Sequence, residues 1–240
     1  MRRGYRSAID RISRQLGNRQ IEAYLEDRDL KEHERRQLEI IAREFPQFAG
    51  SAMDLGCATG ALLKALGERY PDAELTGVDI APALLDGARD RVPNARFVQA
   101  DLEVFEPDEP VDLITASGLL SIFEDFAEPL DRWLSWLAPG GRLFVFGQFN
   151  SSNVDRIVRF RNNDFGGEWE GGFTAYSVET VGAHLDSSGW SYEFERFELP
   201  IDLPKGENPI RVHTARVGDQ RLLLNGANLV CEMFFLTVRA

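Results

Sequence analysis

Ala52-Met53-Asp54-Leu55-Gly56-Cys57-Ala58-Thr59-Gly60-Ala61-Leu62-Leu63 is the stretch on which the reading of the fold turns. It opens as a short apolar strand, turns on glycines, and continues as a helix with Leu62, Leu63 and Leu66 on one face. Glycines let a backbone turn tightly and come close to a ligand. Working outward, the same alternation repeats. The predicted order is helix Ala61–Tyr70, strand Glu74–Ile80, helix Pro82–Arg91, strand Arg96–Val98 and strand Val111–Thr115. A helix from Pro129 to Leu137 follows, then a Pro139-Gly140-Gly141 turn into strand Arg142–Gly147. Strands and helices that alternate over short connections form right-handed parallel βαβ units.

Upstream, Leu38, Ile41, Ala42 and Phe45 recur at helical spacing and predict a helix from Gln20 to Phe45, ending before Pro46. Downstream, a Gly- and Asn-bearing stretch runs to Tyr176, and a helix covers Ser177–Ser187. Tyr192–Leu199 and Leu222–Val238 then read as an antiparallel pair ending the sheet, the second interrupted at Asn225-Gly226. Pro200–Gln220 reads as their connection. The expectation is therefore an α/β protein: a mostly parallel sheet with a late antiparallel strand, helices on both faces, and an N-terminal helical extension. The extension takes residues 1–50. A single domain takes 51–240, divided into a core at 51–148 and substrate-side elements and final strands at 149–240.

In an open α/β sheet, ligands bind at the carboxyl ends of the strands. After the first strand stand Asp54, Gly56, Cys57, Ala58 and Gly60; after the second, Asp79 and Ile80; after the third, Asp101 and Leu102; after the fourth, Ser117. The helix that follows Gly60 presents its N-terminus to an amino-acid carboxylate. Asp54 suits an ammonium group, Asp79 a pair of ribose hydroxyls, and Asp101 an exocyclic amine, with Leu102 covering a purine.

Residues 51–148 resemble the class I S-adenosylmethionine (SAM)-dependent methyltransferases. The likeness rests on Asp54-x-Gly56-x-x-x-Gly60, Val78-Asp79, Ala100-Asp101 and Leu137-x-Pro139-Gly140-Gly141, in that order. It implies a Rossmann-like fold and SAM as cofactor. Asp54, Gly56 and Gly60 would frame the methionine part, Asp79 the ribose, and Asp101 with Leu102 the adenine. Ala58 departs from the pattern, where glycine is commoner. NAD is the rival ligand; in G-x-G-x-x-G starting at Gly56 the sixth position, Ala61, is tolerated, but Ala58 at the third leaves the second glycine missing, which counts against NAD.

The chain has 27 Lys and Arg against 39 Asp and Glu, a net charge of −12, which opposes binding to nucleic acid. Arg2, Arg3, Arg6, Arg11, Arg14 and Arg19 form the one basic run, read as a solvated leader. Cys57 and Cys231 form no CxxC, so neither a disulfide framework nor a cysteine-based metal site is expected. The basic N-terminus lacks the apolar run of a signal peptide, and no stretch is long and apolar enough to span a membrane. A cytoplasmic protein, monomeric or homodimeric, follows.

The acceptor class is read by elimination. Thr115-Ala116-Ser117-Gly118 is not the Asn/Asp-Pro-Pro-aromatic motif used on exocyclic amines of bases, and no cysteine follows the fourth strand to attack cytosine. A small metabolite remains, methylated at a hydroxyl, carboxylate or amine. Leu119–Asp125 and the Leu-x-Pro-Gly-Gly turn look like the small-molecule branch, which includes the trans-aconitate, malonyl-carrier and sugar methyltransferases. A non-catalytic SAM-binding regulator and an RNA methyltransferase using the Arg-rich run are the alternatives.

Positioning alone supplies much of the rate in methyl transfer, so no catalytic residue is obligatory. Gln148 and Asn150, after the fifth strand, either hydrogen-bond the acceptor or cap their own loop. Phe123 reads as core, with pocket lining the alternative, and Trp169 and Phe173 as surface packing on a Gly-flanked loop, with closure over substrate the alternative. His33 falls off the apolar stripe of its helix and is expected in solvent. His184 is expected on a helix surface. His213, with Arg211, reaches the acceptor if the late insertion folds over the strand ends.

Overall fold

A computed structural model describes residues 30–161, 169–206 and 212–240. The Arg-rich run, the first part of the predicted N-terminal helix and Arg211 lie outside the described residues. The chain order is α1 Glu32–Glu44, β1 Ser51–Leu55, α2 Ala61–Arg69, β2 Glu74–Asp79, α3 Pro82–Arg91, β3 Arg96–Gln99 and β4 Val111–Ser117. A short 3-10 turn at Leu120–Ile122 leads to α4 Ala127–Ser135 and β5 Leu137–Asn150. Two-residue strands β6 Arg159–Phe160, β7 Glu170–Gly171 and β8 Tyr176–Ser177 precede α5 Val178–Ser187. Then come β9 Ser191–Phe197, β10 His213–Val217, β11 Gln220–Leu224 and β12 Glu232–Arg239.

The main sheet runs β3-β2-β1-β4-β5-β12-β9. Pairings from β3 to β5 are parallel, and β12 lies antiparallel to both β5 and β9. Alternating side chains divide the core in two, as strand geometry requires. On one face Ile40 and Ile41 of α1, Leu62, Leu63 and Leu66 of α2 and Leu85 of α3 cover Ala52, Leu113, Phe144, Phe146 and Phe235. On the other, Leu130, Trp133 and Leu134 of α4 and Val181 and Leu185 of α5 cover Met53, Leu55, Ile114, Val145 and Leu236. This is the expected Rossmann-like arrangement, with helices on both faces and a late antiparallel strand.

Two expectations about the late strands need correction. The stretch Leu222–Val238 is two strands: β11 closes a separate ribbon with β10, and β12 alone joins the main sheet. Pro200–Gln220 is accordingly no plain connection, since it contains the whole of that ribbon's first strand, His213–Val217. The antiparallel pair of β9 and β12 ends the sheet, as expected. β12 is inserted between β5 and β9, which is the edge. The buried stripe of α1 is also rotated, running through Gln37, Ile40 and Ile41.

Direction of travel decides what surrounds the site. Because β12 starts opposite the end of β5, Glu232 facing Phe149, the ribbon β10–β11 before it projects from the carboxyl end of the parallel strands. Phe197, the last residue of β9, pairs with Met233 at that same end.

Candidate active site

The glycine loop is built by close approach. Gly56 N and Cys57 N both donate to Val78 O, at 2.8 and 3.1 Å, which folds the loop back over β2. Gly77 permits this: a Cβ there would stand 2.8 Å from Cys57 Sγ and 2.7 Å from the Phe97 ring. Cys57 therefore turns its thiol into the core and shapes the loop from beneath. Gly56, Ala58 and Gly60 hold φ of 67°, 46° and 73°, a run of left-handed or turn conformations that ends at the start of α2. No side chain caps α2, so its first-turn N–H groups face the loop without an internal acceptor.

Around this loop the strand ends bring three carboxylates together. Asp54 is 5% exposed and its Oδ1 accepts from Thr115 Oγ1 at 2.7 Å, across the β1–β4 pairing. Asp79, 7% exposed, accepts from Ala58 N and Ala81 N at 2.9 Å each, one oxygen apiece. Asp101 Oδ1 accepts from Glu103 N at 3.0 Å, a turn that leaves Oδ2 free of any hydrogen bond among the described residues. Burial pushes the Asp54 carboxyl up to about 7, and the neighbouring charges of Glu34 and Asp79 push the same way against the Thr115 hydrogen bond. Asp79 is raised too, chiefly by burial, against hydrogen bonds from the backbone of Ala81, Ala58 and Ile80. Among the described residues no salt bridge neutralises Asp54 or Asp79. A buried acidic corner of this kind favours a cationic ligand.

The other expected residues are placed as follows. Ile80 is half-buried, and its carbonyl lies 3.5 Å from Gln99 Nε2. Leu102 packs against the core edge. Ser117 Oγ donates to Gln37 Oε1 at 2.7 Å, tying the end of β4 to α1. Gln148 Nε2 donates to Cys231 Sγ at 2.9 Å while its Oε1 receives Arg156 Nη2 at 3.4 Å. Asn150 caps its own loop, with Nδ2 on Val154 O at 2.7 Å and Oδ1 receiving Ser152 N at 2.9 Å. His213 is buried at the start of β10, in the projecting ribbon. Phe123 stacks edge-on against Trp133 as core, Trp169 is exposed, and Phe173 packs on Phe160.

His33 is not in solvent as its helical position suggested. Its ring stacks on Phe146 at 4.5 Å between centroids, 10° from parallel, because the first turn of α1 overhangs the end of β5. Burial, with the Lys31 charge adding, lowers its pKa to about 4, so the imidazole is neutral near pH 7. His184 sits on the helix surface as expected, 2.6 Å from Asp131 Oδ1. Leu119 was also missed: its side chain covers the Gly56 Cα, and a Cβ there would lie 2.9 Å from Leu119 Cδ2. No periodicity marks a residue whose role is to lie over a loop from another strand.

Residues 52–141 match a family model described as a methyltransferase domain. That segment runs from β1 into β5 and includes the glycine loop. Among curated proteins, the trans-aconitate 2-methyltransferase of Methylobacterium radiotolerans is 40% identical over 114 residues, 48% of this chain and 44% of the relative. The chain spans about half the length of the curated relatives it matches. Among solved structures, a complex of DhpI with S-adenosylhomocysteine (SAH) has a TM-score of 0.63 at 17% identity, covering 98% of each chain. The 1,6-didemethyltoxoflavin-N1-methyltransferase of Burkholderia thailandensis also has a TM-score of 0.63, at 14% identity over 100% of this chain and 92% of its own. These two likenesses show the fold.

Proposed function

We propose that the chain binds SAM and transfers its methyl group to a small metabolite. The observation that carries this reading is the convergence of Asp54, Asp79 and Asp101 at the adjacent carboxyl ends of β1, β2 and β3, around an uncapped helix N-terminus. SAM fits that set by charge: it has an ammonium group and a sulfonium for the acidic corner, and a carboxylate for the α2 N-terminus. The structures of DhpI with SAH and of the 1,6-didemethyltoxoflavin-N1-methyltransferase with SAH support the cofactor by analogy.

In this reading Asp54 and the loop Gly56–Gly60 hold the amino-acid end, and Cys57 and Ala58 shape the loop backbone. Asp79, beside Ile80, offers its remaining lone pairs to the ribose hydroxyls. Asp101 takes the adenine amine and Leu102 the ring face. Ser117, fixed by Gln37, borders the reacting centre. When bound, SAM supplies an electrophilic methyl group, and the protein's part is to line up a nucleophile behind it in a site closed from water. The acceptor enters from the side of β5, α1 and the ribbon, where Gln148, Asn150 and His213 stand. His33 adds a neutral imidazole over the strand ends, able to accept a proton from a hydroxyl or amine. No helix among the described residues is long and apolar enough to cross a membrane, and both cysteines are free. We place the reaction in the cytoplasm.

Calorimetry with SAH tests the site. Asp79→Ala removes two charge-assisted hydrogen bonds to the ribose, and affinity should drop about 100-fold or more. Unchanged binding overturns the assignment. Incubation with methyl-labelled SAM and a small-molecule extract should then label an acceptor. Binding without any transfer would instead leave a regulatory SAM-binding protein.

A further inference from the structure

Beyond the end of β4 and on the acceptor side of the site, one cation has no counter-charge. Ser117, the last residue of β4, pairs with Phe146, and Gln148 lies two residues further on along β5, roughly 7 Å past it. Arg156 Nη2 donates to the Gln148 carbonyl at 3.4 Å, and Arg156 makes no ion pair among the described residues. Two carboxylates on neighbouring segments, Asp155 beside it in the chain and Glu232 at the start of β12, are engaged elsewhere. Asp155 accepts from Ser177 N at 2.8 Å and from Thr180 Oγ1 at 3.0 Å. Glu232 accepts from Ser151 at 2.9 Å and pairs with Arg196 at 3.2 Å.

The same corner collects buried donors without acceptors. Arg156 Nε, Thr174 Oγ1 and Asn225 Nδ2 are all inaccessible and unpartnered. They are structurally linked. Arg156 and Ala175 exchange backbone hydrogen bonds at 2.8 and 2.9 Å, and Thr174 is the residue before that bridge partner. Gln148 donates to Cys231 Sγ, and the backbone of Asn225 hydrogen-bonds to that same sulfur. Asn225 spends its Oδ1 on Ala227 N and Leu229 N, at 3.0 Å each, so its amide is fixed with Nδ2 left over. Buried donors are satisfied in nearly all native proteins, and a group of them around an unpaired guanidinium indicates a missing acceptor.

We propose that Arg156, supported by Gln148, Thr174 and Asn225, is the seat for a carboxylate of the methyl acceptor. The proposal rests on the methyl-transfer reading. A guanidinium fork matches a planar carboxylate, and a single positive charge among neutral amide and hydroxyl donors balances one negative charge better than a phosphate dianion. In a protein of net charge −12, an acidic acceptor needs such a local cation to enter at all. The carboxylate bound there is a handle: its lone pairs are engaged by Arg156, so the methyl goes to another atom of the acceptor.

The test is a calorimetric titration of the protein, with and without SAH, using succinate, citrate and inorganic phosphate as probes. The expected result is that at least one of the carboxylates binds, more tightly than phosphate, and that Arg156→Gln weakens it at least tenfold while keeping its affinity for SAH. Arg156→Lys, which keeps the charge and loses the fork, should retain part of the affinity. Equal binding to wild type and Arg156→Gln overturns the proposal, as does failure of both carboxylates to bind wild type, or tighter binding of phosphate. Arg156-dependent carboxylate binding in a protein that ignores SAH would uphold this seat and remove the methyl-transfer reading instead.

Discussion

Ala58 holds a φ of 46°, in the left-handed region that costs a residue with a Cβ on the order of 1–2 kcal/mol. The cost is tolerated because Asp79 grips its N–H and the loop must bend there. Ala58→Gly relieves the Cβ clash and adds unfolded-state entropy. The net should be a gain of roughly 0.5–1 kcal/mol, read from the midpoint of denaturant unfolding. Lower stability in that variant would mean that the alanine is not strained. Asp54 makes a second prediction through its protonation. Its folded pKa is raised from 3.8 to about 7, so its contribution to stability is full below about pH 4 and is lost as pH rises through about 7. Binding of a ligand ammonium runs the other way, because only the ionised carboxylate attracts it. SAH affinity should therefore rise by up to about tenfold per pH unit below about pH 7, then level off. Asp54→Asn should flatten both dependences; a wild-type affinity that ignores pH would place the ammonium elsewhere.

α1 is fastened at its end as well as along its face. Glu44, its last residue, accepts from Arg239 Nε and Nη2 at 2.9 and 2.8 Å and stands 3.1 Å from Arg142 Nε. One carboxylate thus ties the helix to β12 and β5, while Arg36 and Arg43 reach Glu195 on β9. Arg239 holds the Glu44 carboxyl below its usual range. Glu44→Ala leaves two partly buried guanidinium groups without this acceptor and should cost about 1–3 kcal/mol by thermal or chemical unfolding, with Glu44→Gln between it and wild type. A loss within error would show the cluster to be solvent-screened. The elements β1 to β5 and their helices were legible because each has an apolar period bounded by Gly, Pro or Asp, and the strand-end carboxylates follow from those boundaries. The later elements were not. β10 and β11 form a half-exposed ribbon whose pattern resembles a loop, and β12 is told from β11 only by its pairing with β5 and β9, far away in sequence. His33 was misplaced for a related reason: helical spacing locates the face of α1 but not that its first turn hangs over Phe146.

At the scale of the molecule, the site is electrically divided. Its acidic side is made by β1, β2 and β3, where Asp54, Asp79 and Asp101 meet. The basic point, Arg156, lies across β4 and beyond β5. A cation and an anion brought to the two sides would attract each other across the gap between them, which, in the proposed methyl transfer, would help set the line of attack. The sequence showed the first side, since its residues sit at fixed offsets from strands. It hid the second, because an arginine gains that meaning only when its neighbours' carboxylates are seen to be engaged. The inserted strand β12 has a last consequence. A chain that must return antiparallel between β5 and β9 has to begin its return at the ligand end, so whatever precedes β12 is delivered there by topology. The described residues 198–206 and 212–231 thus form a separate cassette: a change in their length or sequence would alter what is admitted to the site, while the glycine loop and its carboxylates stay untouched.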